Sequence, residues 1–459
     1  MEKLNKKYGL FTAVCMVVGI VIGSGIFFKA QRVIDLAGNG LNSVLAWLIS
    51  GAIMVVIATT FAVMATKYEK VNGVVDYAEV TCGKAYAYGI GWFMSLVYYP
   101  AMTSVLAWVS ARYTLYAVVG SDAMIFSPEC ITLSLLYLVL AYFINTISPK
   151  IAGKFQVSAT VVKFIPILFI AIVGTIIGLV NGNIGDNFSA TNAFVEASGG
   201  EGSLFAAICG TIFAYEGWVI ATAINSEIKD SKKNLPIALC FGTLVIVVAY
   251  TLFNLGILGL ADIGAVAKDG TGVAFAVFGK AGSTIIHILI VISCLGTLNG
   301  LMLGCTRGMY SIAARGEGIA PETLSQVDKK TNMPHNSASF ALLACAVWFV
   351  YFIAANAFGW FGNYGFDSSE LPIVTIYPMY VPIFVAFMIK EKDLHWFKRF
   401  VLPCISIVGV GIIVAASVIA HGMGNVWYLI VFAVIMAAGY GVYFYNKKSQ
   451  KKETAPSEQ

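Results

Sequence analysis

Residues 19–27 read GIVIGSGIF, so Gly19, Gly23, Ser24 and Gly25 interrupt the first long apolar run of the chain. The N–H groups of Gly23, Ser24 and Gly25 carry almost no side chain over them, and a half helix starting near Ile26 turns the positive end of its dipole toward the gap. That arrangement suits an anion such as a carboxylate. A second interruption falls at Thr211-Ile-Phe-Ala-Tyr-Glu-Gly-Trp218, where Glu216 and Gly217 break another apolar run. A lone ammonium, Lys163, lies deep in a third, within Thr160-Val-Val-Lys-Phe-Ile-Pro166. Charge at such depth is costly unless it is paired, solvated or used.

The elements that must position these groups are membrane helices. Of 459 residues, 59% are hydrophobic and 12% charged, and the mean hydropathy of +0.82 lies far outside the soluble range. Apolar stretches long enough to cross about 30 Å of hydrocarbon recur throughout, which excludes a barrel of short alternating strands. Twelve spans are predicted, over 10–36, 41–66, 85–117, 129–148, 155–181, 203–227, 236–260, 282–314, 338–356, 372–390, 400–420 and 425–446. With the N-terminus inside, 23 of the 29 lysines and arginines fall in cytoplasmic segments. That asymmetry puts both termini in the cytoplasm and agrees with an even number of spans. The first run has no small-residue cleavage site, so no removable leader is expected.

Spans 1 and 6 occupy corresponding positions if the first ten form two five-helix repeats. Paired interruptions in corresponding spans point to a midplane substrate site in an inverted-repeat transporter. The chain then divides into a cytoplasmic N-terminus (1–9), a first repeat (10–181), an extracellular loop (182–202), a second repeat (203–390), two further spans (400–446) and a disordered cytoplasmic tail (447–459). The net charge of +5 reflects this topology, which leaves nothing for nucleic acid to bind. Nine cysteines show no CxxC and no His/Cys cluster, so neither disulfides nor a metal site is expected, and no cofactor is implied. A channel would repeat a filter or a charged ring by symmetry. An enzyme would pair a nucleophile with a base, and Ser24 has neither histidine nor acid near it in sequence.

Gly23-Ser-Gly-Ile-Phe27, Phe213-Ala-Tyr-Glu-Gly-Trp218, Glu227-Ile-Lys-Asp-Ser-Lys-Lys-Asn-Leu-Pro236 and Ala314-Arg-Gly-Glu-Gly-Ile-Ala-Pro321 resemble successive signatures of the amino acid-polyamine-organocation (APC) superfamily. The chain is most similar to bacterial members of its L-type amino acid transporter family, including serine/threonine (alanine-serine-cysteine) exchangers. The resemblance implies an all-α, LeuT-like five-plus-five inverted repeat with broken helices 1 and 6. It also implies that the amides of Ser24, Gly25 and Ile26 hold a substrate carboxylate. Carbonyls at Ile20, Ile22, Phe213 and Ala214 would hold its ammonium, and Phe213 would close over it from outside. Lys163 would stand where sodium-coupled relatives hold an ion, which implies sodium independence; alternatively it cycles a proton in a symporter. Glu216 either favours polar or cationic side chains, carries a proton, or hydrogen-bonds within the break.

Tyr99 on span 3 and Asn299 on span 8 are lesser substrate-site candidates. Arg112 reads as an interfacial anchor or an outer partner for Asp35, and His287 as a packing histidine. Eukaryotic members of the family it resembles link to a partner glycoprotein through a cysteine in the external loop between spans 3 and 4; the loop from Val118 to Ser127 has none here, so the resemblance implies no disulfide-linked partner subunit, and a monomer or homodimer in a bacterial-type inner membrane is expected. Glycine, serine and alanine at the breaks favour small neutral L-amino acids, moved by exchange.

Overall fold

The computed structural model describes residues 9–68, 73–120, 124–147, 149–189, 203–220, 222, 228–269 and 272–453. Regular structure among the described residues is helical. Among the described residues, ten helices are long and apolar enough to cross a membrane: α3 (Gly40–Lys67), α5 (Lys84–Val119), α6 (Pro128–Ile147), α7 (Lys154–Asn181), α9 (Ser231–Leu260), α10 (Gly279–Ala313), α11 (His335–Asn356), α12 (Leu371–Lys390), α13 (Phe397–His421) and α14 (Met423–Lys448). An eleventh crossing is a pair, α1 (Leu10–Val21) and α2 (Gly25–Ala37), bent by 44° at the expected break. The shorter apolar helix α8 (Leu204–Tyr215) stands where the sixth span is expected, and α4 (Val74–Cys82) is a short helix between α3 and α5 that periodicity did not reveal.

The break in the first crossing is local in origin. Ile22 is extended (φ −69°, ψ 101°), so the amides after it turn away from the carbonyls of α1. Gly23 and Gly25 are needed for close approach: a Cβ on Gly25 would lie 2.9 Å from the Ala214 Cβ and 3.3 Å from its backbone nitrogen, and one on Gly23 would lie 2.7 Å from the Thr297 Cβ. At the second break Glu216 is extended (ψ 160°) and Gly217 takes φ +109°, where a side chain would be strained. The expected span over 203–227 therefore ends as an α-helix at Tyr215, and a single 3₁₀ turn follows to Ile220.

Around these breaks α2 packs on α8, α1 on α9, α3 on α9, and α5 on α10. The last helix continues to Glu453, past the tail boundary expected at 447. Lys, Gln and Glu there are good helix formers once a preceding helix has nucleated the run.

Candidate functional site

The two breaks meet. Among the described residues, the amides of Ser24, Gly25, Ile26 and Phe27 have no acceptor; the first bond of α2 runs from the Phe28 amide to the Ser24 carbonyl at 2.7 Å. The Ser24 hydroxyl is buried and likewise unpartnered. Four free N–H groups, one free hydroxyl and the positive end of a 13-residue helix therefore converge on one spot, which is an anion site by construction.

The carbonyl side of the same break is largely satisfied by neighbours. Lys163 Nζ donates to the Gly19 carbonyl and, at 2.8 Å, to Thr297 Oγ1. Thr297 in turn donates to the Ile22 carbonyl at 3.2 Å, and Ser293 reaches that of Gly23 at 3.4 Å. The Tyr250 hydroxyl spans both breaks, donating to Val21 O at 2.9 Å and Ala214 O at 3.1 Å. Ile20 is different: its carbonyl has no donor among the described residues, so it alone is left facing a ligand's N–H.

Glu216 is fully engaged. Its carboxylate accepts from the Tyr98 hydroxyl on one oxygen and from Tyr377 at 2.8 Å on the other, which ties the second break to α5 and α12. Ile20, Gly23, Ser24, Gly25, Phe213 and Glu216 line one cavity of about 10 Å³, with Met102, Leu106, Thr297 and Leu301 completing its wall. That is room for about one water. Ile26 and Ala214 back it, both buried.

Phe213 separates this cavity from a vestibule of about 1030 Å³ on the end opposite the termini. Its ring packs edge-on against Phe28 (6.1 Å) beneath the Lys29 ammonium (5.3 Å), and Lys29 is paired with Glu370. The vestibule wall is strongly charged, with Arg32, Asp35, Arg112 and Asp262 among its residues. Asp35 takes Arg32 as its partner at 2.9 Å, one turn away, while Arg112 lies over the rings of Phe28, Trp108 and Tyr113. At the terminal end charged pairs bridge the described helices: Arg315 pairs with Asp76 and sits 3.6 Å from Glu79, and Lys67 pairs with Glu391 and, at 2.6 Å, with Asp393.

Two expected site residues stand outside this constellation. Tyr99 packs its ring on Gly304 of α10 (3.3 Å from where a Cβ would stand), because it is the neighbouring Tyr98 that faces Glu216. Asn299 points toward α6, where Asn145 Nδ2 donates to its side-chain oxygen at 2.9 Å, a helix-to-helix tie. His287 stacks on Tyr116 (4.1 Å) and bonds the Ser283 carbonyl at 2.7 Å.

A family model described as amino acid permease matches residues 8–443. The chain belongs to the amino acid permease family. The permease is 29% identical over 476 residues to the serine/threonine exchanger SteT of Bacillus subtilis (strain 168), covering 97% of this chain and 98% of that protein. It is 25% identical over 339 residues to the human cystine/glutamate transporter, covering 72% of this chain and 65% of that protein. It is 26% identical over 337 residues to the mouse b(0,+)-type amino acid transporter 1, covering 72% of this chain and 67% of that protein. The permease is therefore a multi-pass membrane protein of amino acid transport and not an enzyme, and its substrates are amino acids.

Sequence reasoning missed Tyr250 and Thr297 as the groups that hold the broken backbone, Tyr98 and Tyr377 as those that hold the Glu216 carboxylate, and the Lys29–Glu370 pair. The signal available for the first four was weak, a single hydroxyl in an apolar stretch. Nothing in the sequence joins Lys29 to a residue 341 positions away.

Proposed function

We propose that the permease is a sodium-independent exchanger of small neutral L-amino acids such as alanine, serine, threonine and cysteine, working by alternating access. In this reading it has twelve spans, the first ten as two inverted five-helix repeats with broken helices 1 and 6, and both termini in the cytoplasm of a bacterial-type inner membrane. It acts without a disulfide-linked subunit, as a monomer or homodimer.

The observation that carries the reading is the pairing of unsatisfied groups across the break. The amides of Ser24, Gly25 and Ile26 with the Ser24 hydroxyl suit a carboxylate, and the open Ile20 carbonyl suits an ammonium. Those two ends of one ligand describe a zwitterion. A small neutral side chain is favoured because the cavity is tight and Met102, Leu106 and Leu301 make much of its wall apolar, while the Glu216 carboxylate is tied to the Tyr98 and Tyr377 hydroxyls. Sodium independence follows from Lys163, whose ammonium takes the Gly19 carbonyl that a bound cation would otherwise coordinate. The relative SteT is a serine/threonine exchanger, which supports exchange and a small neutral substrate.

The test is uptake of labelled serine into liposomes holding the purified protein, in sodium-free buffer, with and without unlabelled serine inside. Uptake confined to preloaded vesicles is expected. Uptake into empty vesicles driven by an inward proton gradient would make the protein a symporter, and strong uptake of arginine or leucine with no inhibition by serine would overturn the substrate class.

A further inference from the structure

At the floor of the vestibule, three side chains from three separate elements converge. Cys209 comes from α8, Glu370 caps the start of α12, and His421 ends α13. Cys209 Sγ lies 3.7 Å from His421 Nε2 and 3.7 Å from Glu370 Oε2, and the latter two atoms are 2.9 Å apart. We propose that this cluster is a transition-metal site, filled by Zn²⁺ from the vestibule side, and that occupancy clamps the outer half of the sixth span and blocks transport.

The donor set and the distances both fit. A thiolate, an imidazole and a carboxylate are the ligands zinc prefers, and its ordinary bond lengths in a tetrahedron place sulfur about 3.6 Å from the nitrogen or oxygen and those two about 3.4 Å apart. Two of the three separations are already within about 0.1 Å of that, and the third needs His421 and Glu370 to part by about 0.5 Å. Among the described residues these three form the group of histidine, cysteine and acid side chains close enough to share an ion. Glu370 and His421 line the vestibule, so an ion arriving from it meets them first, and the fourth coordination position is left to water.

The surroundings orient the ligands. Lys29 holds the other oxygen of Glu370, with Ser369 3.2 Å from the same ammonium, which leaves Oε2 aimed at the cluster. Because Lys29 offsets the Glu370 charge, the thiolate of Cys209 supplies the remaining negative ligand. As the metal bonds form, Cys209 releases its proton to solvent, and His421 gives up the Nε2 proton of its bond to Glu370 and ligates as the neutral ring with its remaining proton on Nδ1.

The consequence follows from position. Cys209 and Phe213 are four residues apart on α8, one turn on the same face, and Phe213 is the ring between vestibule and cavity. An ion bound to Cys209, Glu370 and His421 would join α8 to α12 and α13, so the ring could no longer swing with its helix. Sequence spacing hid this site, because its members are separated by 161 and 212 positions from Cys209.

The metal site is tested without transport, using Co²⁺ as the probe on the purified full-length protein. One equivalent of Co²⁺ should give a thiolate charge-transfer absorption that Zn²⁺ abolishes. Cys209→Ser should lack the band, and His421→Gln should weaken binding by at least about 100-fold, more than loss of an outer-shell partner costs. Absence of the band in wild-type protein with an unchanged melting profile would overturn the site. The clamp rests on the transport reading and is tested in serine-preloaded liposomes: external Zn²⁺ should suppress wild-type uptake at least about tenfold and spare Cys209→Ser. Equal inhibition of both, or a cobalt band with no inhibition, would overturn the clamp. No uptake even in zinc-free vesicles would count against the exchanger, while the cobalt result would still decide the site.

Discussion

Tyr250→Phe removes one oxygen atom from the centre of the permease and little else. The Tyr250 ring is held by Trp47 at 5.5 Å and Tyr215 at 5.2 Å, and those contacts survive in phenylalanine. What disappears is a donor shared between Val21 O at 2.9 Å and Ala214 O at 3.1 Å, the terminal carbonyls of the two half helices that flank the cavity. The residue is fully buried, and a gap the size of one hydroxyl admits no water to take over. Stranding a buried acceptor costs about 1–3 kcal/mol, and because one O–H serves both carbonyls the figure is not doubled. If the bond holds the two breaks at the spacing a substrate needs, that cost falls on the bound state and raises the half-saturating serine concentration by about 5–150-fold. The assay is exchange of labelled serine in preloaded liposomes, with thermal unfolding measured in parallel. Loss of thermal stability with unchanged half-saturation would show the bond to be structural only, and no change in either would refute the reasoning outright.

Gly25→Ala should abolish serine exchange, since the new methyl meets the backbone of Ala214, where overpacking costs about 1–3 kcal/mol or more; exchange within about twofold of wild type would refute it. Lys163→Met keeps the length of the side chain but strips the Gly19 carbonyl of its charged donor and leaves only the Thr297 hydroxyl at 3.5 Å, so exchange should be lost in sodium-free buffer, and rates equal to wild type would remove Lys163 from the mechanism. Tyr377→Phe leaves one Glu216 oxygen without its hydroxyl; a drop in melting temperature worth about 1–3 kcal/mol with serine still preferred over arginine is expected, and a switch to arginine uptake would show that Glu216 faces the substrate. Arg315→Gln opens the pair with Asp76 on the terminal face, and faster hydrogen exchange over 74–82 is the expected sign that this end has loosened.

The first break was legible because its cause is local: GIVIGSGIF carries its own small residues, and the extended Ile22 falls inside it. The second was legible from Glu216 and Gly217 for the same reason, and Gly217 does take the left-handed conformation that glycine permits. Lys163 announced itself by cost alone, as a charge in hydrocarbon. Its place at the ion position of sodium-coupled relatives was read only through likeness to a family, and its target, the Gly19 carbonyl, was not foreseen, since no pattern in the sequence pairs residues 144 apart. Tyr99 and Asn299 show the limit. Adjacent residues on a helix point about 100° apart, so knowing that a span faces the site does not say which of Tyr98 and Tyr99 does. The charged vestibule was unreadable for a related reason: its residues come from segments far apart in sequence, each unremarkable by itself.

The geometry also explains why the unsatisfied groups and the tight packing occur together. A site that must bind and release a ligand in two directions needs backbone that is not already bonded, and in a membrane such backbone is tolerable only when protein covers it. Here the cover is asymmetric. Toward the termini, charged pairs join α4 to Arg315, just past α10, and α3 to the residues after α12. On the other side there is one layer, Phe213 with Phe28 and the Lys29–Glu370 pair, below a wide vestibule. A cavity that admits one water has to expand before it admits an amino acid, and the thin layer is the cheaper one to move, because α8 is short and ends at a glycine turn a few residues past Phe213. Opening toward the vestibule would move Phe213 and its helix end past Phe28 and the Lys29–Glu370 pair, whereas opening toward the termini would part the Arg315–Asp76 and Lys67–Glu391 pairs. In the proposed exchanger, a ligand that holds the amides of α2 and the carbonyl of Ile20 at once favours that second change only by binding the arrangement open toward the termini more tightly, which would make the spacing of the two half helices the quantity that governs exchange.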